Sequence, residues 1–186
     1  MNGFQIAGQS QPNGFQNRDN SATVENYLTK LLESLDEPIS NQQAIMKILP
    51  QLHQNPRIII NGNPFGSREQ FQQLWARLPL SNHQITSCDV HFIPTNNTNN
   101  PSDGQYIVSA HLKVRFDESG KNKIGETASF NNTTTSSTRN IWSHWFGVSL
   151  SLVADSTIIS NSNTEAISIW DYRFTENPIS SVFKVN

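Results

Sequence analysis

Gln105-Tyr106-Ile107-Val108-Ser109-Ala110-His111-Leu112-Lys113-Val114-Arg115-Phe116 is the stretch that decides the fold class. Tyr106, Val108, Ala110, Leu112, Val114 and Phe116 fall on one side of it, and Ile107, Ser109, His111, Lys113 and Arg115 on the other. Successive side chains of a strand point to opposite faces, so this period of two predicts a long strand with one face in a core. The alternation recurs over 84–93, where Cys88, Val90 and Phe92 share a face, and over 141–154, where Phe146, Val148, Leu150 and Leu152 do. Residues 165–174 set Trp170, Tyr172 and Phe174 against Ile167, Ile169, Asp171 and Arg173. Long antiparallel strands are therefore expected through the second half.

The first half has a different period. Val24, Tyr27, Leu28, Leu31, Leu32 and Leu35 recur at helical spacing until Pro38. Ala44, Ile45, Ile48, Leu49 and Leu52 repeat that spacing around Pro50, which predicts a shorter second helix ended early by the proline. Arg57-Ile58-Ile59-Ile60-Asn61 is β-branched and closed by Gly62, Asn63 and Pro64, the pattern of a short strand and turn. Ser67 and Gln70 make a capping box ahead of Phe71, Leu74, Trp75 and Leu78, and Pro79 ends this third helix. Three N-terminal helices followed by antiparallel strands predict an α+β domain, with the helices packed on the inner face of a curved sheet.

Length and composition bound the rest. A chain of 186 residues, 35% hydrophobic, has material for one core, placed here at 21–186 behind a polar, flexible tail over 1–20. Asn-Gly-Phe-Gln occurs at 2–5 and again at 13–16, so Phe4 and Phe15 are either docking points or two chance phenylalanines in that tail. The net charge of −2 supplies no global basic field to draw the chain onto nucleic acid. Cys88 stands alone, which rules out an internal disulfide and a cysteine-built zinc site and fits a reducing compartment. No secretory signal is recognisable, and no apolar run approaches the roughly 20 residues needed to cross a bilayer, so membrane insertion is not expected.

The outward positions of the sheet are too apolar for a plain solvent face. Ile107 and His111, Trp145 with Gly147, Ser149 and Ser151, and Ile167 and Ile169 with Arg173 combine apolar and aromatic anchors with small residues that permit close approach. Protein–protein interfaces have this composition, although loops of the same chain covering the face would explain it equally.

Three segments carry a family resemblance: Arg57-Ile58-Ile59-Ile60-Asn61 with Pro64-Phe65, Lys113-Val114-Arg115-Phe116-Asp117-Glu118-Ser119-Gly120, and Phe146-Gly147-Val148-Ser149-Leu150. They resemble the fungal mRNA transport regulators, the small subunits of the mRNA export receptor, which have the nuclear transport factor two-like fold. The resemblance runs from about residue 22 onward and is most specific over 113–120. It implies a cone-shaped domain that pairs sheet to sheet with the large subunit of the receptor. It further implies binding of phenylalanine-glycine nucleoporins, export of messenger ribonucleoprotein and large ribosomal subunits, and residence in the nucleus and nuclear pore with shuttling to the cytoplasm. Tyr172-Arg173-Phe174 looks like the family's last strand, whose central arginine faces the partner. On that resemblance Arg173 is expected to meet a partner carboxylate, with Ile167, Ile169 and Trp145 around it.

Residues 117–140 read as a long exposed loop with Lys121, Lys123 and Arg139 among Ser, Thr and Asn. The resemblance suggests contact with RNA or pre-ribosomes there; a merely solvated loop is the other reading. The same cone also hosts small-molecule enzymes, which need a buried carboxylate or His with a Tyr donor. Here the inward set offers only Tyr106, Tyr172 and His144, while Asp89 and Asp171 face outward on parity, and no nucleophile triad, phosphate-cradling loop or metal-ligand spacing occurs. No catalytic residue, metal or cofactor is assigned. A small-molecule enzyme and a homodimeric transport adaptor remain the rival readings.

Overall fold

The computed structural model describes residues 20–95, 103–127, 141–176 and 179, so the tail expected over 1–20 lies, except for Asn20, outside the described residues. Helix α1 spans Ser21–Asp36, and all six apolar positions read from its sequence are buried. It ends where Glu37 turns extended, as a residue preceding a proline prefers. Helix α2 spans Arg68–Arg77 and begins with both halves of the Ser67/Gln70 capping box in place.

The second of the three expected helices, read from Ala44 to Leu52, is instead a 3-10 segment, Gln42–Lys47. Proline crowds the residue before it out of the helical region, and Leu49, before Pro50, sits at φ 44 while Ile48 is extended. The pattern over Ala44, Ile45, Ile48 and Leu49 thus ends after one tight turn, and Leu52 opens a strand.

Six strands follow: β1 Leu52–Ile60, β2 Asn63–Phe65, β3 Ser81–Pro94, β4 Gly104–Phe116, β5 Phe146–Asp155 and β6 Ile167–Glu176. They join one sheet in the order β2-β1-β6-β5-β4-β3. β3 to β6 form an antiparallel meander, but β6 returns alongside β1 in parallel. The sheet is therefore mixed rather than purely antiparallel, because the long path from β1 to β6 through α2 and four strands allows a parallel return. β1 and β2 turn at Asn61-Gly62, both with positive φ (51 and 80), the geometry of a two-residue hairpin loop. Asn61 also ties the hairpin to β6: its Oδ1 accepts from the Phe174 amide at 3.0 Å.

The inner face of the sheet and the helices bury one core. Val24, Leu28, Leu31 and Leu35 of α1 and Phe71 and Trp75 of α2 pack with Val108, Leu112, Val114, Phe116, Phe146, Leu150, Leu152, Trp170 and Tyr172. Each large apolar chain so buried contributes about 1.5–3 kcal/mol relative to exposure.

Strand register shifts at four places among the described residues, and two of them decide which residues face outward. In β3 the register slips between Ile85 and Ser87, so His83 and Ile85 share the inner face with Cys88, Val90 and Phe92. In β6 Val153 pairs Ile169 while Ala154 pairs Ile167, leaving Ser168 as an extra residue. A bulge of one residue reverses the facing of everything beyond it.

The expected loop over 117–140 starts as packed structure. Asp117 Oδ1 accepts from the Ser119 and Ile141 amides at 3.0 and 2.8 Å, and Asp117, Ser119, Asn122 and Lys123 are buried. The Lys123 amide donates to Leu78 O and its carbonyl accepts from the Ile39 amide, both at 2.9 Å. Residues 128–140 lie outside the described residues.

Candidate functional site: the outer face of the sheet

Cross-strand register sets the outward residues in rows. Arg57, Ile169, Val153, Ile107 and His91 form one row, and Ile59, Asp171, Ser151, Ser109 and Asp89 the next. Arg173, Ser149, His111 and Ser87 follow, then Gly147, Lys113 and Gln84. Ile59, Ile107, Val153 and Ile169 are each half-buried, giving an apolar stripe across four strands on the side away from the core. Ile107, His111, Trp145, Gly147, Ser149, Ile169 and Arg173 thus fall on the face expected of them. Val153 and Ile59 were missed, although the alternation through 141–154 already sets Val153 opposite Leu152. Gly147 is there for close approach: a Cβ on it would lie 2.7 Å from Thr175 Oγ1.

Ile167 does not join this face. It is 0% exposed in the core, carried inward by the bulge at Ser168, whose hydroxyl donates to Val153 O at 3.3 Å. Lys123 departs from expectation too. It is 2% exposed, its Nζ donates to Ser81 Oγ at 3.0 Å, and burial pulls its pKa down to about 8 against the opposing charge of Asp36. An ammonium held this way cannot meet a phosphate. Lys121 is exposed, and Arg139 lies outside the described residues.

Two of the outward arginines of this face, Arg173 and Arg115, differ in their state. Arg173 is held by its neighbour on the strand: Nε donates to Asp171 Oδ1 at 2.8 Å and a terminal nitrogen to Oδ2 at 2.6 Å. Arg115 lies over two indoles, its guanidinium carbon 4.8 Å from the ring centroids of both Trp142 and Trp145. Its Nε is buried and meets no hydrogen-bond acceptor.

Inside, an acid, a histidine and a phenol make a chain that the sequence did not disclose. His83 Nδ1 is 2.6 Å from Asp36 Oδ1, and His83 Nε2 is 2.9 Å from the Tyr172 hydroxyl. Burial alone would push the Asp36 carboxyl up, but hydrogen bonds and charge from His83 outweigh it and hold the group below the usual range. Burial also pushes the Tyr172 phenol well up. Both imidazole nitrogens are engaged and the Tyr172 ring is 0% exposed within the aromatic core, so the chain of contacts pins α1 to the sheet. His144, the other inward candidate, is exposed.

A mixed six-stranded sheet with two helices on its inner face and a half-apolar outer face is the α+β architecture of the nuclear transport factor two-like domains. Comparison with known proteins narrows this class. The model of the family described as nuclear pore RNA shuttling protein Mtr2 matches residues 16–185. The chain is 37% identical over 189 residues to the mRNA transport regulator of Candida albicans, covering 91% of this chain and 99% of that one. Its identity to the Saccharomyces cerevisiae protein of that description is 33% over 173 residues, 86% and 89% of the two chains. Among solved structures, the Candida albicans Mtr2–Mex67 M domain complex superposes with a TM-score of 0.72 at 33% identity, over 88% of this chain and 100% of that one. Candida albicans Mtr2 superposes with a TM-score of 0.70 at 34% identity over the same shares. This chain belongs to the Mtr2 family.

Proposed function

We propose that the chain is the non-enzymatic small subunit of a heterodimeric nuclear mRNA export receptor, a single domain from residue 21 whose outer sheet face seats the large subunit. The observation that carries this reading is the stripe Ile59, Ile107, Val153 and Ile169 with Trp145, apolar area that a free domain has no reason to turn toward water. The relative crystallised with a Mex67 M domain supports a partner of that kind for this face. His111, Gly147, Ser149 and the Asp171–Arg173 pair complete the surface, with Arg173 engaging the partner alongside the carboxylate it already holds.

The proposal extends to nucleoporin binding, carriage of messenger ribonucleoprotein and large ribosomal subunits, and shuttling between nucleus and cytoplasm, of which RNA shuttling at the nuclear pore has the support of the family's description. Any RNA or pre-ribosome contact falls to Lys121 and Arg139, since Lys123 is consumed by the core.

Size-exclusion chromatography with light scattering tests the central claim. The full chain mixed with a Mex67-type M domain is expected to elute as a one-to-one complex. A stable homodimer that ignores that domain would favour the homodimeric adaptor instead.

A further inference from the structure

Among the described residues, the outer face carries one arginine with a buried donor that meets no acceptor. Arg173 has its fork filled by Asp171, and Arg57 sits exposed on β1. Arg115 is half-buried, rests against Trp142 and Trp145, and has a buried Nε with no acceptor. Guanidinium hydrogen-bonds only in its own plane, and a charged donor kept from both water and an acceptor is costly. Cation–π contact with two indoles offsets part of that cost and fixes the side chain without using its N–H groups. Asp117, two residues on, is taken by Ser119 and Ile141.

We infer that Arg115, held by Trp142 and Trp145, is a preorganised anchor that receives a carboxylate side chain of the partner protein. This rests on the reading of the outer face as a partner-binding surface and adds to it the chemistry of one contact. Arg115 lies on the outward side of β4 with Ile107, His111 and Lys113, and its indole Trp145 precedes Gly147 and Ser149 of β5, so the anchor is continuous with the apolar stripe. Arginine and tryptophan at the edge of an apolar patch are the residues that dominate interface energetics, and an in-plane fork suits a carboxylate bound by two parallel hydrogen bonds.

The test measures affinity of the full chain for a Mex67-type M domain by calorimetry, using wild type, Arg115→Gln and Arg115→Lys. Both variants are expected to bind about 10- to 100-fold more weakly, because lysine keeps the charge but loses the fork. Equal binding by folded variants overturns the anchor while leaving the partner-binding reading intact; failure of the wild type to bind overturns that reading and the anchor with it. Unchanged protein affinity together with a salt-dependent loss of oligouridine binding would make Arg115 a phosphate contact and refute the proposal. Should the variants unfold, solvent exchange of the Arg115 Nε–H in the unsubstituted protein decides by NMR: it should slow at least about tenfold in the complex, and an unchanged rate refutes the anchor.

Discussion

Lys123 is a buried cation, and its surroundings explain why it is tolerated. The hydroxyl of Ser81 accepts from Nζ and itself donates to Leu35 O at 3.1 Å, while Asp36 supplies a nearby negative charge that His83 also shares. An unfolded lysine titrates near 10.5, whereas the folded one is drawn down to about 8 by burial. Below about pH 8 the fold carries a buried ammonium and its penalty is complete. Between about 8 and 10.5 the unfolded chain binds the extra proton, so stability rises with pH until the buried tyrosines, whose phenols are pushed up, begin to favour unfolding. Lys123→Met should therefore stabilise the protein by about 1–3 kcal/mol at pH 7 and flatten the rise between pH 7 and 9.5, measured by urea denaturation at both values. Identical pH slopes for the variant and wild type would show that the amine is not buried. Asp36 acts in the opposite sense: its lowered pKa stabilises the fold at neutral pH, and that contribution fades as acid protonates it below the ordinary carboxylate range. None of this cluster is legible from sequence. Asp36 closes a helix, His83 lies one residue upstream of the recognised strand, and Lys123 reads as a loop cation until the chain folds back over Leu78 and Ile39.

Elements were legible wherever one period ran unbroken. β4 and β5 alternate without interruption, and every inward assignment along them is buried. α1 and α2 were readable for the same reason, down to the capping box and the proline stops, whereas the helix expected around Pro50 did not form. Bulges defeat that reading, because a single extra residue moves a hydrophobic set to the other face without altering composition. The bulges at Thr86 and Ser168 each carry a hydroxyl that bridges to the neighbouring strand: Thr86 Oγ1 donates to His111 O at 2.7 Å, and Ser168 Oγ to Val153 O at 3.3 Å. A Ser or Thr between apolar residues was the available hint, too common to be read as a bulge alone. The bulge in β6 makes adjacent isoleucines functionally opposite. Ile167→Asp places a carboxylate in the core and should cost more than about 3 kcal/mol, visible as a collapsed thermal transition before any partner is added. Ile169→Asp should leave the melting temperature within a few degrees of wild type yet weaken M-domain binding at least about tenfold. The reverse outcome would mean that Ser168 is not bulged and that the outer face begins at Ile167.

For the molecule as a whole, the two faces of the sheet divide the work. The inner face is filled by Trp170, Tyr172, Phe146 and Phe116 in edge and stacked contacts, which leaves stability to the core and, on the function proposed above, recognition to the outer side. A half-apolar outer face costs the free chain nothing in packing but leaves it dependent on its surroundings, since any partner binding the folded state alone shifts the unfolding equilibrium. The stabilisation grows as RT ln(1 + [L]/Kd), about 2.7 kcal/mol when the free partner is at 100 times Kd. For a chain of this size that corresponds to a rise of roughly 5–10 °C in melting temperature on adding an M domain in excess. The homodimeric alternative makes a different forecast: the melting temperature would climb with the concentration of this chain alone and respond little to the M domain. Differential scanning calorimetry over a hundredfold range of chain concentration, with and without the M domain, separates the two. A transition insensitive to both would leave the outer face as mere surface, and with it the claim that this sheet was shaped for a partner.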